Sequence, residues 1–143
     1  MKWVTREHVK VDRVACPWLI LCFIDPQAEF LFTPPDQVLE VARRESATSF
    51  DAQGARYGHR EGKCTFEVLV EDYKLTMSGL AELARIVHGA DVAGDESVTP
   101  ESAGLKAISE GFGLAYATDA EVLEKEFPLY DALFAWCKDR VQR

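Results

Sequence analysis

Two short stretches of this chain gather side chains that can bind a metal. The first, YGHREGKCTFEVLVEDY (57–73), places His59 between glycines, then Cys64 and, one helical turn later, Glu67. The second, IVHGAD, sets His88 and Asp91 three residues apart. On a helix that spacing puts both side chains on one face, with Cβ atoms about 5–6 Å apart. Two imidazoles and two carboxylates suit a borderline divalent ion such as manganese or iron, with zinc as the alternative. Cys64 is a fifth, softer candidate that would bias the site toward zinc. The chain has only one further histidine, His8, and no HExxH pair. The expectation is that His59 and Glu67 converge on His88 and Asp91. Each residue also has a structural reading: His88 as a core-edge ring bonded to Asp91, Cys64 as a small buried hydrophobe, Glu67 as part of a solvated face.

A second group lies in DRVACPW. Arg13 can present a planar fork to an oxyanion beside a helix N-terminus, with Trp18 shielding the pocket. Cys16, near the same N-terminus, is a candidate for a lowered pKa and redox reactivity. Arg13 and Cys16 are therefore the candidate catalytic pair. The plainer reading makes Asp12 and Arg13 a local salt bridge, with Cys16 packed in the core.

The elements that must position these residues follow from pattern. Trp3 to Thr5 reads as a short strand, DRVACPWLILCFI as a helix stopped by Asp25-Pro26, and AEFLFT as a second strand. PPDQVLEVARRE is a helix with Pro34 and Pro35 at its entrance, and ATSFDA a weaker third strand. This β-α-β-α-β order predicts a small three-stranded parallel sheet with right-handed crossovers. Helices are expected over KCTFEVLVEDY, SGLAELARIVHGADVA and TPESAGLKAISEGFGLAYA, followed by one helix, or two broken near Pro128, to the end. The class is α/β (α+β), with a helix-rich second half and one domain over 1–143. In an open parallel sheet, ligands collect at the carboxyl ends of the strands and at helix N-termini, which selects Thr5 and Arg6 after the first strand, Asp12 and Arg13 at the first helix, and Asp51 after the third strand.

Composition narrows the classes. The net charge is −8, with 24 acidic against 16 basic residues and no basic cluster, so nucleic acid is not an expected partner of this domain. Four cysteines without CxxC read as reduced thiols and favour a cytoplasmic location. The apolar run Val14 to Ile24, interrupted by Pro17, is too short to cross a bilayer and reads as a buried helix.

Seven blocks in order, KVDRVACPWLI, FIDPQAEFLF, FDAQGARYGH, GKCTFE, ARIVHGAD, AGLKAI and LYDALFAWC, resemble the chromate-resistance (ChrB-type) domain, from about Trp3 to Trp136. That family occurs as the C-terminal half of chromate-responsive regulators and as a stand-alone protein. Carried onto this chain, its positions include Asp12, Arg13, Cys16, Pro17 and Trp18, then His59, Cys64 and Glu67, then His88 and Asp91. This sequence departs from many relatives at Leu21-Cys22, where they carry two arginines, and at Gly89-Ala90, where a bulkier, more acidic run follows the histidine. The resemblance implies a small metal-binding protein acting in metal-oxyanion or oxidative stress. Its partners would be a metal ion and a small oxyanion or superoxide, with superoxide-dismutase-like chemistry as one concrete form. The alternative is a non-catalytic metal or oxyanion sensor acting through a protein partner. Homo-oligomerisation is compatible with both.

Overall fold

The computed structural model describes residues 1–143. Strand β1 (Lys2–Arg6) is the middle of a three-stranded parallel sheet, with β2 (Glu29–Thr33) on one side and β3 (Thr48–Ser49) on the other. Lys2 to Arg6 register against Glu29 to Thr33, while Trp3 and Val4 register against Thr48 and Ser49. Successive side chains of a strand point to opposite faces. Trp3 accordingly joins the main core, and Val4 packs with Val38 and Val41 of helix α2 (Val38–Glu45) in a smaller cluster. Both faces are covered, so Trp3, Val4 and Thr5 are all fully buried and the strand shows no polar alternation.

Helix α1 (Asp12–Leu19) is shorter than its apolar run, because the chain widens into a π-helical turn over Ile20–Ile24 before Asp25. Pro17 sits inside α1, where it has no amide to give to a preceding carbonyl. The third strand is also shorter than expected. Asp51 adopts a left-handed φ of 49°, which turns the chain out of the ladder after Phe50.

The second half is helical: α3 (Thr65–Asp72), α4 (Leu80–Asp91), α5 (Ser102–Ala115) and α6 (Asp119–Gln142). No helix is long and apolar enough to cross a membrane. Helix α6 runs unbroken through Pro128. Beyond that proline it is held to α1 by Trp18, whose ring lies 6.1 Å from Tyr130 and 5.5 Å from Phe134 and whose Nε1 donates to Asp131 at 2.8 Å. Before the proline, α6 buries Val122, Leu123 and Glu126. Neither carboxylate oxygen of Glu126 has a hydrogen-bond partner. Burial pushes this carboxyl up to about 7.

At Gly89 the backbone of α4 takes the side chain of Ser102, the first residue of α5, directly against it. A Cβ there would stand 2.3 Å from Ser102 Oγ and 2.6 Å from Val98 Cγ1. Ser102 Oγ in turn donates to the Ile86 carbonyl. The glycine that follows His88 therefore fixes how closely α5 approaches the helix carrying His88 and Asp91.

Candidate metal centre

Asp12 organises the site from a position where sequence suggests an ordinary cap. It is the first residue of α1, but its side chain leaves that helix and caps another: Oδ2 accepts from Thr65 N at 2.7 Å and Oδ1 from Phe66 N at 3.0 Å. The unpaired amides at the start of α3 are thus satisfied by a fully buried carboxylate from α1. Cys16, one turn along α1, donates its thiol to Asp12 Oδ1 at 3.5 Å.

Asp51 arrives from the turn after β3. Its Oδ1 accepts from the Thr65 hydroxyl at 2.8 Å, and its Oδ2 faces two guanidiniums, Arg6 at 3.3 Å and Arg13 at 3.5 Å. Arg13 therefore pairs with Asp51 and with the His8 carbonyl, not with its neighbour Asp12. Asp91 comes from the last turn of α4. The three carboxylates converge on one nitrogen, His59 Nε2, at 3.0 Å (Asp91 Oδ2), 3.5 Å (Asp51 Oδ1) and 3.6 Å (Asp12 Oδ2).

The electrostatics follow from this crowding. Hydrogen bonding to Asp12 and then Asp51 outweighs desolvation and raises the His59 imidazole to about 10. Burial, reinforced by repulsion from Asp12 and Asp51, pushes Asp91 up to about 7. Asp12 is also raised, chiefly by its burial. Burial acts the same way on Asp51, but His59, Thr65 and the two arginines outweigh it and hold this carboxyl below its ordinary value.

Glu67 and His88 form an adjoining group. Cys64 is the N-cap of α3, and Glu67 Oε1 accepts from its amide at 2.9 Å. The same oxygen lies 2.5 Å from His88 Nδ1, and His88 Nε2 lies 2.7 Å from Asp95 Oδ2. Burial works against the imidazolium, but Asp95 and Glu67 together raise the His88 pKa.

The structure thus joins His59 to Asp91 and Glu67 to His88 and Cys64, in two neighbouring groups instead of the single one expected. His88 and Asp91 share a helix face, yet each turns to a different partner. Asp12 and Asp51 complete the first group. The rule that ligands collect at helix N-termini and strand ends selects Asp12 by the first and Asp51 by the second, although neither stands in a metal-like spacing. Thr65 and Asp95, which orient Asp51 and His88, carry no such signal in the sequence.

The two remaining candidates differ sharply. Arg13 is at the centre, mostly buried, with its Nε unpartnered. Cys16 lacks the lowered pKa expected near a helix start: it is fully buried, and burial followed by the charges of Asp12 and Asp51 pushes its thiol well up. Cys64 is likewise buried and its thiol raised, first by burial and then by Asp12. Both sulfurs are therefore neutral thiols in this state.

The donor set suits a divalent ion of intermediate hardness, since one imidazole nitrogen and three carboxylates offer donor atoms within 4.8 Å of one another. Fold and site together define a small α/β domain in which a helix start, a strand end and a helix end bring buried carboxylates against the partly exposed imidazole of a loop. The pattern of the family described as "ChrB, C-terminal domain" matches residues 3–137, and the chain belongs to that chromate-resistance family. It is 37% identical over 136 residues to Protein ChrB of Cupriavidus metallidurans (strain CH34), a match covering 93% of this chain and 40% of that protein. The chain thus spans about two fifths of that relative's length. No solved structure matches.

Proposed function

We propose that this domain binds a divalent transition metal at the carboxylate–imidazole centre, with manganese or iron favoured over zinc, and acts in the cytoplasm in metal-oxyanion or oxidative stress. One observation carries the reading: three carboxylates from three different elements converge on His59 Nε2. Such a concentration of negative charge is expensive to bury without a cation. Proton release from His59 would free Nε2 as a ligand beside Asp91 and Asp51, while Asp12 orients the group from its cap on α3. Glu67, His88 and Cys64 form the adjoining donor set. Arg13 holds Asp51 in place and offers positive charge to an approaching anion. A redox-active ion with these nitrogen and oxygen donors would supply one-electron chemistry of the superoxide-dismutating kind. The cytoplasmic assignment is supported by four free thiols, three of them buried.

The test is metal analysis of untagged protein purified without chelator, followed by refilling with manganese, iron and zinc. Stoichiometric metal that His59→Ala removes supports the reading. No metal as purified, and none taken up on titration, would sink it.

One observation favours a second, non-catalytic reading. Every acceptor position of Asp12 and Asp51 already faces a donor within the protein, and a His59 imidazolium together with Arg6 and Arg13 balances the three carboxylates without an ion. A metal that binds here then reorganises the network and signals through a protein partner. Superoxide turnover separates the two: metal-loaded protein without turnover, but with metal-dependent hydrogen exchange over α3, supports the sensor.

A further inference from the structure

A pocket of about 510 Å³ opens beside the centre, between the connection that follows β3 and the first turns of α3. Its wall carries Arg6, Arg56, His59 and Arg60 against one carboxylate, Asp51. On a chain of net charge −8, this lining concentrates three arginines in one pocket.

The pairing leaves Arg56 as the one cation of that wall without a carboxylate: His59 faces Asp12, Asp51 and Asp91, and Arg60 has Glu71 beside Asp72. Asp51 alone answers both Arg6 and Arg13. Arg60 is matched by Asp72 through two bonds of 3.0 and 2.7 Å. Arg56 makes no ion pair; its guanidinium lies over the Tyr57 ring, 5.6 Å from the centroid, which pre-orients it without neutralising it. A guanidinium held this way presents a planar fork suited to two oxygens of one anion. The volume is far larger than a bare tetrahedral oxyanion needs and falls within the range of small-molecule sites, about 300–1,000 Å³. The only apolar side chains on the wall are Ala52, Ala55 and Val68, so the body of the ligand must be polar.

We infer that this pocket binds a polar small molecule bearing a dianionic, phosphate-like head group, which Arg56 and Arg6 grip at the mouth. The site shares His59 with the proposed metal centre, but it does not require a bound ion.

Calorimetric titration of the full chain with ribose 5-phosphate, inorganic phosphate and ribose, with and without manganese, tests this. Ribose 5-phosphate is expected to bind saturably and more tightly than inorganic phosphate, and ribose not to bind. Arg56→Ala, at an exposed position, should weaken the phosphate ester about tenfold or more. Manganese uptake by that variant should match the parent, so failure of the pocket and failure of the metal centre are read separately. No saturable binding of either phosphate, unchanged binding in Arg56→Ala, or equal affinity for ribose 5-phosphate and either control overturns the inference.

Discussion

Asp12 Oδ2 lies 2.7 Å from the backbone nitrogen of Thr65, so the carboxylate that opens the first helix also closes the open end of the third. Because its other oxygen takes the Phe66 amide, Asp12→Ala strips two buried donors of their partner. We expect a loss of about 2–4 kcal/mol in urea unfolding, combining a lost cap with unsatisfied amides. Asp12→Asn keeps one acceptor and should fall between the two. If both substitutions leave the urea midpoint unchanged, the cap is not structural.

Gly89→Ala forces a methyl into the Ser102 hydroxyl and the Val98 side chain. The expected cost is about 1–3 kcal/mol, the range for overpacking a close helix contact. Gly89→Ala combined with Ser102→Ala should recover part of it. A thermal melt showing no loss in the single variant would mean that α4 and α5 can separate freely.

Glu126 sets a pH dependence. Its carboxyl is raised from the ordinary 4.5 to about 7, so the folded chain holds a proton that the unfolded chain has already released. Its contribution is therefore complete below pH 4.5, drains as pH rises toward about 7, and stays lost above that. Glu126→Gln should be more stable than the parent at alkaline pH by on the order of 3 kcal/mol, with the difference vanishing in acid. Denaturation midpoints of the two proteins across this range check the sign. A constant difference would disprove it.

The thiols should divide by accessibility. Cys22 is exposed, whereas Cys16, Cys64 and Cys137 are buried. A thiol reagent is expected to modify Cys22 alone in the native protein and all four cysteines in denaturant. Native labelling of Cys16, read by peptide mass mapping, would contradict its place in the core.

The three parallel strands and the helix-rich second half are legible because hydrophobic period and turn residues are local signals, whereas the strand order β2-β1-β3 is not. The third strand was overextended because nothing in ATSFDA announces that Asp51 turns left-handed. The helical run through Ile24 is legible, but its burial ends at Ile20, Cys22 is exposed, and its π-helical end has no signature in composition. At the site, His59, Glu67, His88 and Asp91 were visible as donor types. Which donors share a group was not, since that depends on α1 and α4 meeting the start of α3. Asp12 shows why: a residue beside a helix start reads as that helix's cap, and only tertiary structure can send it to another. Cys16 misled for a related reason. A helix start lowers a thiol's pKa where water reaches it, and here burial and two carboxylates outweigh that effect.

Helix α6 also governs when the centre can form. Asp119 receives the amides of His8 and Val9, and the Tyr130 hydroxyl donates to the Val11 carbonyl, across separations of 111, 110 and 119 residues. The loop that delivers Asp12 is therefore tied to the part of this domain synthesised last. During translation, the early βαβ segment can emerge long before its site is assembled. A ribosome-bound intermediate lacking α6 should expose Trp18 and leave the α3 start uncapped, making that last helix the clasp whose arrival completes the domain.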